Sequence, residues 1–464
     1  MMNSRFKLLS KNLGILTISN FASKILVFLL VPLYTSVLST EEYGTYDLAV
    51  SVVLLLFPLF TLNIVDACMR FLMEKNAKRE KIAIIGIRQI SISIIMFGVF
   101  MVCISKASVW KTIAGLETYV FMYYLTYALN EFFIQFAKGI NRITDMAVAG
   151  VISTISMIST NILFLVCLGW GLQGFFLANI VSQGVSVIYF VIRIRFWNYI
   201  STWKVDYVLN KEMLCYSFPL IATALCWWIN STSDKYIISL MLGVSANGLL
   251  AVSYKIPSII NTIQGIFIQA WQISAIKEYG NGDTSGFYGN TFSIVNVLMC
   301  AACAWLILLA KPIASILYAK DFYAAWQYVP FLLIASVLNC ASGLIGPILA
   351  AKKNSKAMMW SALIGAGANI ILNIVFVYFM GTQGACIATA ICSFIIYYVR
   401  KEAVREDIKI EQYSIVLITW FLLCIQAIIE IIISNYIMEL GLMTIMLIIN
   451  WKGVSGLLKM VKKC

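Results

Sequence analysis

The sequence contains no histidine, and charged residues make up only 12% of its 464 positions. Soluble proteins usually carry about a quarter charged residues, so this composition excludes a soluble enzyme and a disordered regulator. No Gly-Lys-Ser or Gly-Lys-Thr triplet occurs, and ATP hydrolysis at a Walker loop is therefore not expected. The 12 cysteines lie mostly inside apolar runs, which favours small core residues over a disulfide framework.

Apolar residues are abundant instead, at 61% of the chain, and they recur in runs long enough to cross a membrane. Because a spanning helix needs about 20 residues, we predict an all-α polytopic membrane protein with about 14 transmembrane helices. The predicted spans are roughly 12–38, 44–68, 82–105, 115–137, 146–168, 172–193, 214–242, 246–272, 289–311, 326–350, 357–379, 382–399, 413–433 and 436–451.

The positive charge of the chain is distributed unevenly across these spans. If each span reverses the side of the chain, 26 of the 34 lysine and arginine residues fall on the side of the N-terminus and only four on the other side. Positive charge marks cytoplasmic loops, so both termini are predicted to be cytoplasmic. The net charge of +13 is thereby explained without a nucleic-acid partner.

An internal repeat relates the two halves of the sequence. Gly171-Leu-Gln-Gly174 and Gly381-Thr-Gln-Gly384 are separated by 210 positions, and two further matches share this offset. The repeat predicts an N-terminal six-helix bundle over 1–200 and a C-terminal six-helix bundle over 201–405. Two extra transmembrane helices and a basic tail then occupy 406–464. In transporters built from parallel repeats, the substrate site lies between the halves near the midplane.

Polar residues within the predicted spans are candidates for that site, because charges inside a bilayer usually face water or a partner. Lys24 lies about 18 Å into the first span and shares a helical face with Asn20. The seventh span carries an unbroken polar run from Asn230 to Lys235. The residues predicted to line a substrate-binding cavity in the first, seventh and eighth spans are Asn20, Lys24, Asn230, Asp234, Lys235, Lys255 and Asn261.

The chemistry of these groups suits an anionic, hydroxyl-rich substrate. A lysine ammonium is a natural partner of phosphate, and amide or hydroxyl groups beside aromatic rings suit sugars. Two structural alternatives remain open from the sequence. Lys24 could form an ion pair with Asp234, and Lys235 could extend towards the membrane interface.

Charged residues nearer the predicted cytoplasmic side form a second group of candidates. Arg88 and Arg70 could form a basic entrance for the substrate, or could anchor their helices. Asp66, Glu131 and the more deeply placed Asp234 of the seventh span are the candidates for ion coupling. The alternative for the first two acids is helix capping or pairing with Arg70 or Lys138.

Several stretches of the chain resemble the polysaccharide flippases of the multidrug/oligosaccharidyl-lipid/polysaccharide (MOP) exporter superfamily. The resemblance runs over nearly the whole chain, and the 6 + 6 + 2 arrangement of predicted helices fits it. The stretches that carry it are Phe21-Ala-Ser-Lys24, Val31-Pro-Leu-Tyr34, Leu38–Asp47, Asp234-Lys235, Leu242-Gly243, Asn247-Gly248, Tyr254-Lys-Ile-Pro257 and Gly381-Thr-Gln-Gly384-Ala385.

This resemblance implies a MATE-like fold and a flippase that works by alternating access. Such proteins move polyprenyl-diphosphate-linked oligosaccharide repeat units, as in O-antigen or capsule synthesis, from the cytoplasmic to the outer leaflet of the bacterial inner (plasma) membrane. It implies no enzyme activity and no cofactor. Three driving forces stay open from the sequence: a proton gradient, a sodium gradient and the gradient of the substrate itself. A polysaccharide polymerase and a chain-length regulator are the implied partners, and Lys24 occupies the place of a cavity cation.

Two other functions fit these residues less well than a flippase does. A MATE-like ion-coupled antiporter of small cations would need acidic groups in the cavity, whereas Lys24, Lys235 and Lys255 outnumber Asp234. A membrane polysaccharide polymerase or ligase would need catalytic residues on a large outer loop. The predicted outer loops are short and the chain has no histidine, so no covalent chemistry is expected.

Overall fold

A computed structural model describes residues 28–74, 76–104, 115–200, 205–279, 287–352, 354–405 and 413–451. Over these ranges the chain forms 17 α-helices and no β-strand. Ten helical segments are long and apolar enough to cross a membrane, so the prediction of an all-α polytopic fold is confirmed at that level. The chain divides into two compact units, Met1–Ile229 and Asn230–Cys464.

The N-terminal unit is a bundle of helices. Its helices are α1 (Val31–Val37), α2 (Thr40–Phe60), α3 (Ile64–Leu72), α4 (Arg79–Ile104), α5 (Glu117–Gly139), α6 (Ile143–Asn161, continued by a π-helical turn, Ile162–Cys167) and α7 (Gly171–Ile194). A 3₁₀ turn (Phe196–Asn198) follows, and α8 (Tyr207–Leu242) begins in this unit and ends in the next.

The single helix predicted over 44–68 is wrong, because the structure has two helices there. α2 begins at a capping box in which Ser39 and Glu42 exchange hydrogen bonds, and it ends at Phe60. Leu62 and Asn63 then adopt left-handed backbone conformations with φ of 51°, which an α-helix cannot accommodate. No glycine or proline at 61–63 marks this break, so the hydrophobic pattern alone did not reveal it.

Aromatic side chains fill much of the core of the N-terminal unit. Tyr124 of α5 stacks on Phe97 of α4 with ring centroids 3.9 Å apart, and both rings are fully buried. Further along α5, Phe132 and Phe136 pack edge-on against Phe196. These contacts hold α4, α5 and the end of α7 in a fixed arrangement.

The C-terminal unit continues from the second part of α8. Its other helices are α9 (Val244–Ser253), α10 (Lys255–Tyr279), α11 (Phe287–Leu308), α12 (Ala310–Leu317), α13 (Val329–Ala351, preceded by a 3₁₀ segment, Lys320–Tyr328), α14 (Ser355–Met380), α15 (Thr382–Ala403), α16 (Tyr413–Ile432) and α17 (Tyr436–Ile449).

The helix predicted over 246–272 is also interrupted. α9 ends at Ser253 and α10 begins at Lys255, with Tyr254 between them. Pro257 lies in the first turn of α10, where a missing N–H is tolerated because that N–H would have no intrahelical partner. The interruption places the Tyr254 side chain at the junction of two helices, and this position matters for the polar site described below.

The two glycine motifs of the internal repeat adopt the same tight turn in both units. Gly381 has φ of +61° and Gly171 has φ of +50°, a region that favours glycine. Three residues later, a Cβ on Gly384 would lie 2.0 Å from the carbonyl oxygen of Phe376, and a Cβ on Gly174 would lie 3.1 Å from a carbonyl oxygen of the π-helical turn. Each motif therefore reverses the chain and lets two helices meet backbone to backbone.

Candidate functional site: a buried polar network and an unpartnered arginine

A polar network links α8 to α14 inside the C-terminal unit. The Ser233 hydroxyl donates to Asn369 Oδ1 at 2.6 Å, and Asn230 Nδ2 donates to the Ala362 carbonyl at 3.3 Å. Asn369 is 3% exposed. The polar run predicted on the seventh span thus faces a neighbouring helix of its own unit.

Asp234 follows Ser233 on α8 and is 4% exposed. The Tyr254 hydroxyl donates to its Oδ2 at 2.6 Å, and the backbone N–H of Lys235 donates to its Oδ1 at 2.9 Å. The Thr389 side chain of α15 lies against the Tyr254 hydroxyl. Each oxygen of the buried carboxylate therefore has a donor, as a buried charge requires.

Asn373 extends the network by one helical turn and leaves one oxygen unsatisfied. Its Nδ2 donates to the backbone carbonyl and to the Oδ1 of Asn369, at 2.8 and 3.1 Å. Its own Oδ1 is buried and has no hydrogen-bond partner within the residues that the structure covers. Asn373 therefore keeps one buried acceptor that no donor of the described residues satisfies.

The remaining candidates on the seventh and eighth predicted spans are close to these residues in the sequence. Lys235 follows Asp234 directly and is half-buried. Lys255, also half-buried, follows Tyr254 and is the first residue of α10. Asn261 is exposed on the same helix. The two candidates on the first span, Asn20 and Lys24, lie outside the described residues.

Arg88 and Arg70 of the N-terminal unit have different environments. Arg70 is exposed and forms an ion pair with Glu74 at 3.3 Å, one helical turn away. Arg88 is half-buried in α4, and its Nε is buried without a hydrogen-bond partner among the residues covered. An unsatisfied buried donor costs about 1–3 kcal/mol, and more when it is charged, so the guanidinium of Arg88 is suited to meet an anionic group.

Asp66 and Glu131 approach each other where α3 packs on α5. Asn63 donates to Asp66 through its side chain at 2.8 Å, and Asp66 is close enough to Glu131 for the two carboxylates to repel. Neither of the pairings considered from the sequence is present in the described structure. Arg70 binds Glu74 instead of Asp66, and no ion pair joins Glu131 to Lys138 in the ranges covered.

Several basic residues that the sequence assigns to the cytoplasmic side are held in structural ion pairs. Asp145 accepts from Arg193 Nε at 3.0 Å and from Arg142 Nη1 at 3.2 Å. Lys81 lies 2.8 Å from Asp206, and its hydrogen bond lowers the pKa of that carboxyl below its usual range. These pairs join α6 to α7 and α4 to the start of α8.

Sequence reasoning did not include Tyr254, Asn369, Asn373 or Thr389 among the site residues. A signal for two of them is present in the sequence. Asn369 and Asn373 are four residues apart in an otherwise apolar span, which places both amides on one face of a helix. The partnership of Tyr254 with Asp234 depends on the break between α9 and α10.

A family model described as polysaccharide biosynthesis protein matches residues 9–272 of the chain. No curated protein matches it significantly. The lipid II flippase MurJ in its inward closed conformation superposes with a TM-score of 0.73 at 16% identity, over 96% of this chain and 99% of that chain.

Two further solved structures share the fold. An inward-facing multidrug resistance MATE family transporter of the MOP superfamily has a TM-score of 0.65 at 14% identity, covering 84% of this chain and 94% of that one. A MOP superfamily transporter from Pyrococcus furiosus has a TM-score of 0.57 at 13% identity, covering 85% and 95%. These likenesses show a shared fold. The match of the family model over more than half of its length shows that this chain belongs to the polysaccharide biosynthesis protein family, with the fold that it shares with MurJ and the MATE transporters.

Proposed function

We propose that this protein is a flippase that moves polyprenyl-diphosphate-linked oligosaccharide repeat units across the bacterial inner membrane by alternating access. The repeat units would serve surface polysaccharide synthesis, such as O-antigen or capsule. Membership of the polysaccharide biosynthesis family supports the sugar part of the substrate. The fold shared with a lipid II flippase supports a lipid-linked substrate.

The structural observation that carries this proposal is the Nε of Arg88, which is buried and has no hydrogen-bond partner among the described residues. A buried donor without an acceptor is unfavourable, and a diphosphate oxygen would remove that cost by accepting its hydrogen bond. Lys24 and Lys255 are proposed to contact the diphosphate, and Lys235 to lie nearer the exit. The neighbouring amide and hydroxyl groups would bind the sugars.

Ion coupling is proposed to pass through Asp234. This carboxylate is buried and accepts a hydrogen bond from the Tyr254 hydroxyl, so a bound proton or sodium ion would meet its negative charge and the phenol oxygen. Asp66 and Glu131 form a second, more peripheral acidic pair. A polysaccharide polymerase and a chain-length regulator are the proposed partners in the same pathway.

The test is a leaflet-accessibility assay in proteoliposomes with a labelled polyprenyl-diphosphate oligosaccharide. Arg88→Gln should lose most of the protein-dependent translocation and Arg88→Lys should retain part of it. Arg70→Gln is the matched control, because it removes an exposed arginine that already has a partner, and it should translocate like the wild type. Running the assay with a proton gradient, a sodium gradient or none identifies the coupling ion, and Asp234→Asn should abolish that dependence.

Full activity of a correctly folded Arg88→Gln variant would refute the role of Arg88. Absence of translocation by the folded wild-type protein, with several repeat units tried, would refute the flippase. Efflux of a cationic dye by the same vesicles would then assign the chain to the ion-coupled antiporters.

A further inference from the structure

The last two helices of the described chain bury two glutamates against each other. Glu430 lies near the end of α16 and Glu439 in the first turn of α17, and both residues are 0% exposed. The carboxyl of Glu430 contacts that of Glu439, with Lys311 and Ser434 also beside it. The function proposed above assigns no role to this pair.

These carboxyl groups lack hydrogen-bond donors. Both oxygens of Glu430 and the Oε1 of Glu439 are buried with no partner among the described residues. The Oε2 of Glu439 accepts only a long contact of 3.5 Å from Gln426 Nε2. A buried carboxylate normally accepts two or more hydrogen bonds, because losing its hydration is otherwise very unfavourable.

The neighbouring glutamine adds a further acceptor to this donor-poor place. Gln426 is 0% exposed, and its Nε2 donates to the Ala304 carbonyl at 2.9 Å. Because a carbonyl can only accept, this bond fixes the orientation of the amide and leaves Gln426 Oε1 buried without a donor. Four buried acceptor oxygens of three side chains therefore lie together without donors.

The charges around the pair do not balance it. Lys311 of α12 supplies one ammonium, which donates to the Ser434 hydroxyl and lies 4.1 Å from the ring centroid of Trp326. α11 and α13, which pack against α16, carry no Asp, Glu, Lys or Arg. The other titratable groups on α11, α13, α16 and α17 are thiols and phenols: Tyr288, Cys300, Cys303, Cys340, Tyr413, Cys424 and Tyr436.

We propose that Glu430 and Glu439 form a proton-binding site in which the two carboxyl groups share one proton. Two carboxylates in contact cannot both remain ionised beside a single ammonium. A bound proton converts one of them into an O–H donor for the other, and so supplies the hydrogen bond that the pair lacks.

The surroundings give this proton a path to the aqueous phase. Half-buried Ser434 lies next to the pair, and the exposed Asn435 follows it at the start of α17. The predicted topology places this turn on the outer side of the membrane. The site therefore exchanges protons with the outer medium, separately from the Asp234 network, and it holds whether or not the flippase proposal does.

The experiment is a pH titration of the full-length protein in lipid nanodiscs. Infrared difference spectroscopy of the protonated-carboxyl C=O stretch measures the protonation at each pH. Glu430→Gln and Glu439→Gln are the test variants, because an amide keeps the shape and donates to the remaining carboxylate. Glu74→Gln, an exposed glutamate paired with Arg70, is the matched control. Deuterium exchange of the wild-type band verifies its assignment.

We expect the wild type to show a protonated-carboxyl band at neutral pH that corresponds to about one proton per molecule. Each test variant should lose that band and its proton uptake, whereas Glu74→Gln should keep both. A wild-type band that persists unchanged in either correctly folded test variant would overturn the proposal. If added sodium removes the band at neutral pH, sodium has replaced the proton. That result would overturn the proposal and assign a cation site instead.

Discussion

Substituting Gly384 by alanine should separate the two helices that this glycine joins. The new Cβ would lie 2.0 Å from the Phe376 carbonyl oxygen, 2.3 Å from its carbonyl carbon and 2.9 Å from the Val377 nitrogen. A carbon and an oxygen in contact normally stay about 3.3 Å apart. The start of α15 would therefore have to move from the end of α14 by more than an ångström.

The atoms in the way belong to backbone, so no rotamer change can relieve the clash. Overpacking usually costs about 1–3 kcal/mol, and the upper end applies where the surroundings are rigid. The better helix propensity of alanine offsets at most about 1 kcal/mol of that loss. We therefore expect Gly384→Ala to lower the free energy of unfolding by about 2 kcal/mol or more.

The assay is unfolding in mixed micelles with increasing denaturing detergent, followed by tryptophan fluorescence. Gly367→Ala is the matched control, because Gly367 lies in α14 and a Cβ there meets nothing within 4 Å. That variant should be as stable as the wild type or slightly more so. Wild-type stability of Gly384→Ala would mean that the two helices are not in backbone contact, and the reasoning would fail.

Two further predictions concern single hydrogen bonds. Tyr254→Phe removes the donor to Asp234 and should lower the free energy of unfolding by about 1.5–3 kcal/mol, as for bonds to charged groups; an unchanged unfolding curve would show that Asp234 does not depend on this bond. Asp206 has a lowered pKa because Lys81 donates to it, so its ion pair stabilises the fold above the ordinary aspartate pKa of about 3.9. That stabilisation should be lost as the pH falls through the lowered pKa. Between neutral and acidic pH, the melting temperature should depend less on pH in Asp206→Asn than in the wild type. An identical pH dependence of the melting temperature in the two proteins would contradict the assignment.

Much of the helical layout followed from hydropathy, since the predicted spans at 357–379, 382–399 and 413–433 lie within a few residues of α14, α15 and α16. Long apolar runs have few alternatives to a helix in a bilayer. The helix breaks inside two of the predicted spans were harder to predict from the sequence. Both interruptions have a proline nearby, Pro257 for Tyr254 and Pro58 for Leu62 and Asn63, but membrane helices tolerate proline, so its presence did not fix where the helices break.

The candidate site was predictable in part. The polar run from Asn230 to Lys235 stood out because membrane helices rarely carry six polar residues in succession. Its partner Asn369 stood out less, although Asn373 lies one turn away, since amides in an apolar span are common at helix–helix contacts. The buried Nε of Arg88 could not be read from the sequence at all. Whether a guanidinium finds an acceptor depends on the packing of neighbouring helices, which hydropathy does not encode.

The break between α2 and α3 gives the second helix the geometry of a short lever. Its backbone groups remain bonded, since the amide of Asn63 donates to the Pro58 carbonyl and that of Ile64 to the Thr61 carbonyl. α3 has 9 residues and is therefore about 13 Å long. A rotation of about 10° about the torsions of Leu62 and Asn63 would displace its far end by about 2 Å. Because α3 packs on α5, such a rotation at two residues would also shift the contacts between these two helices.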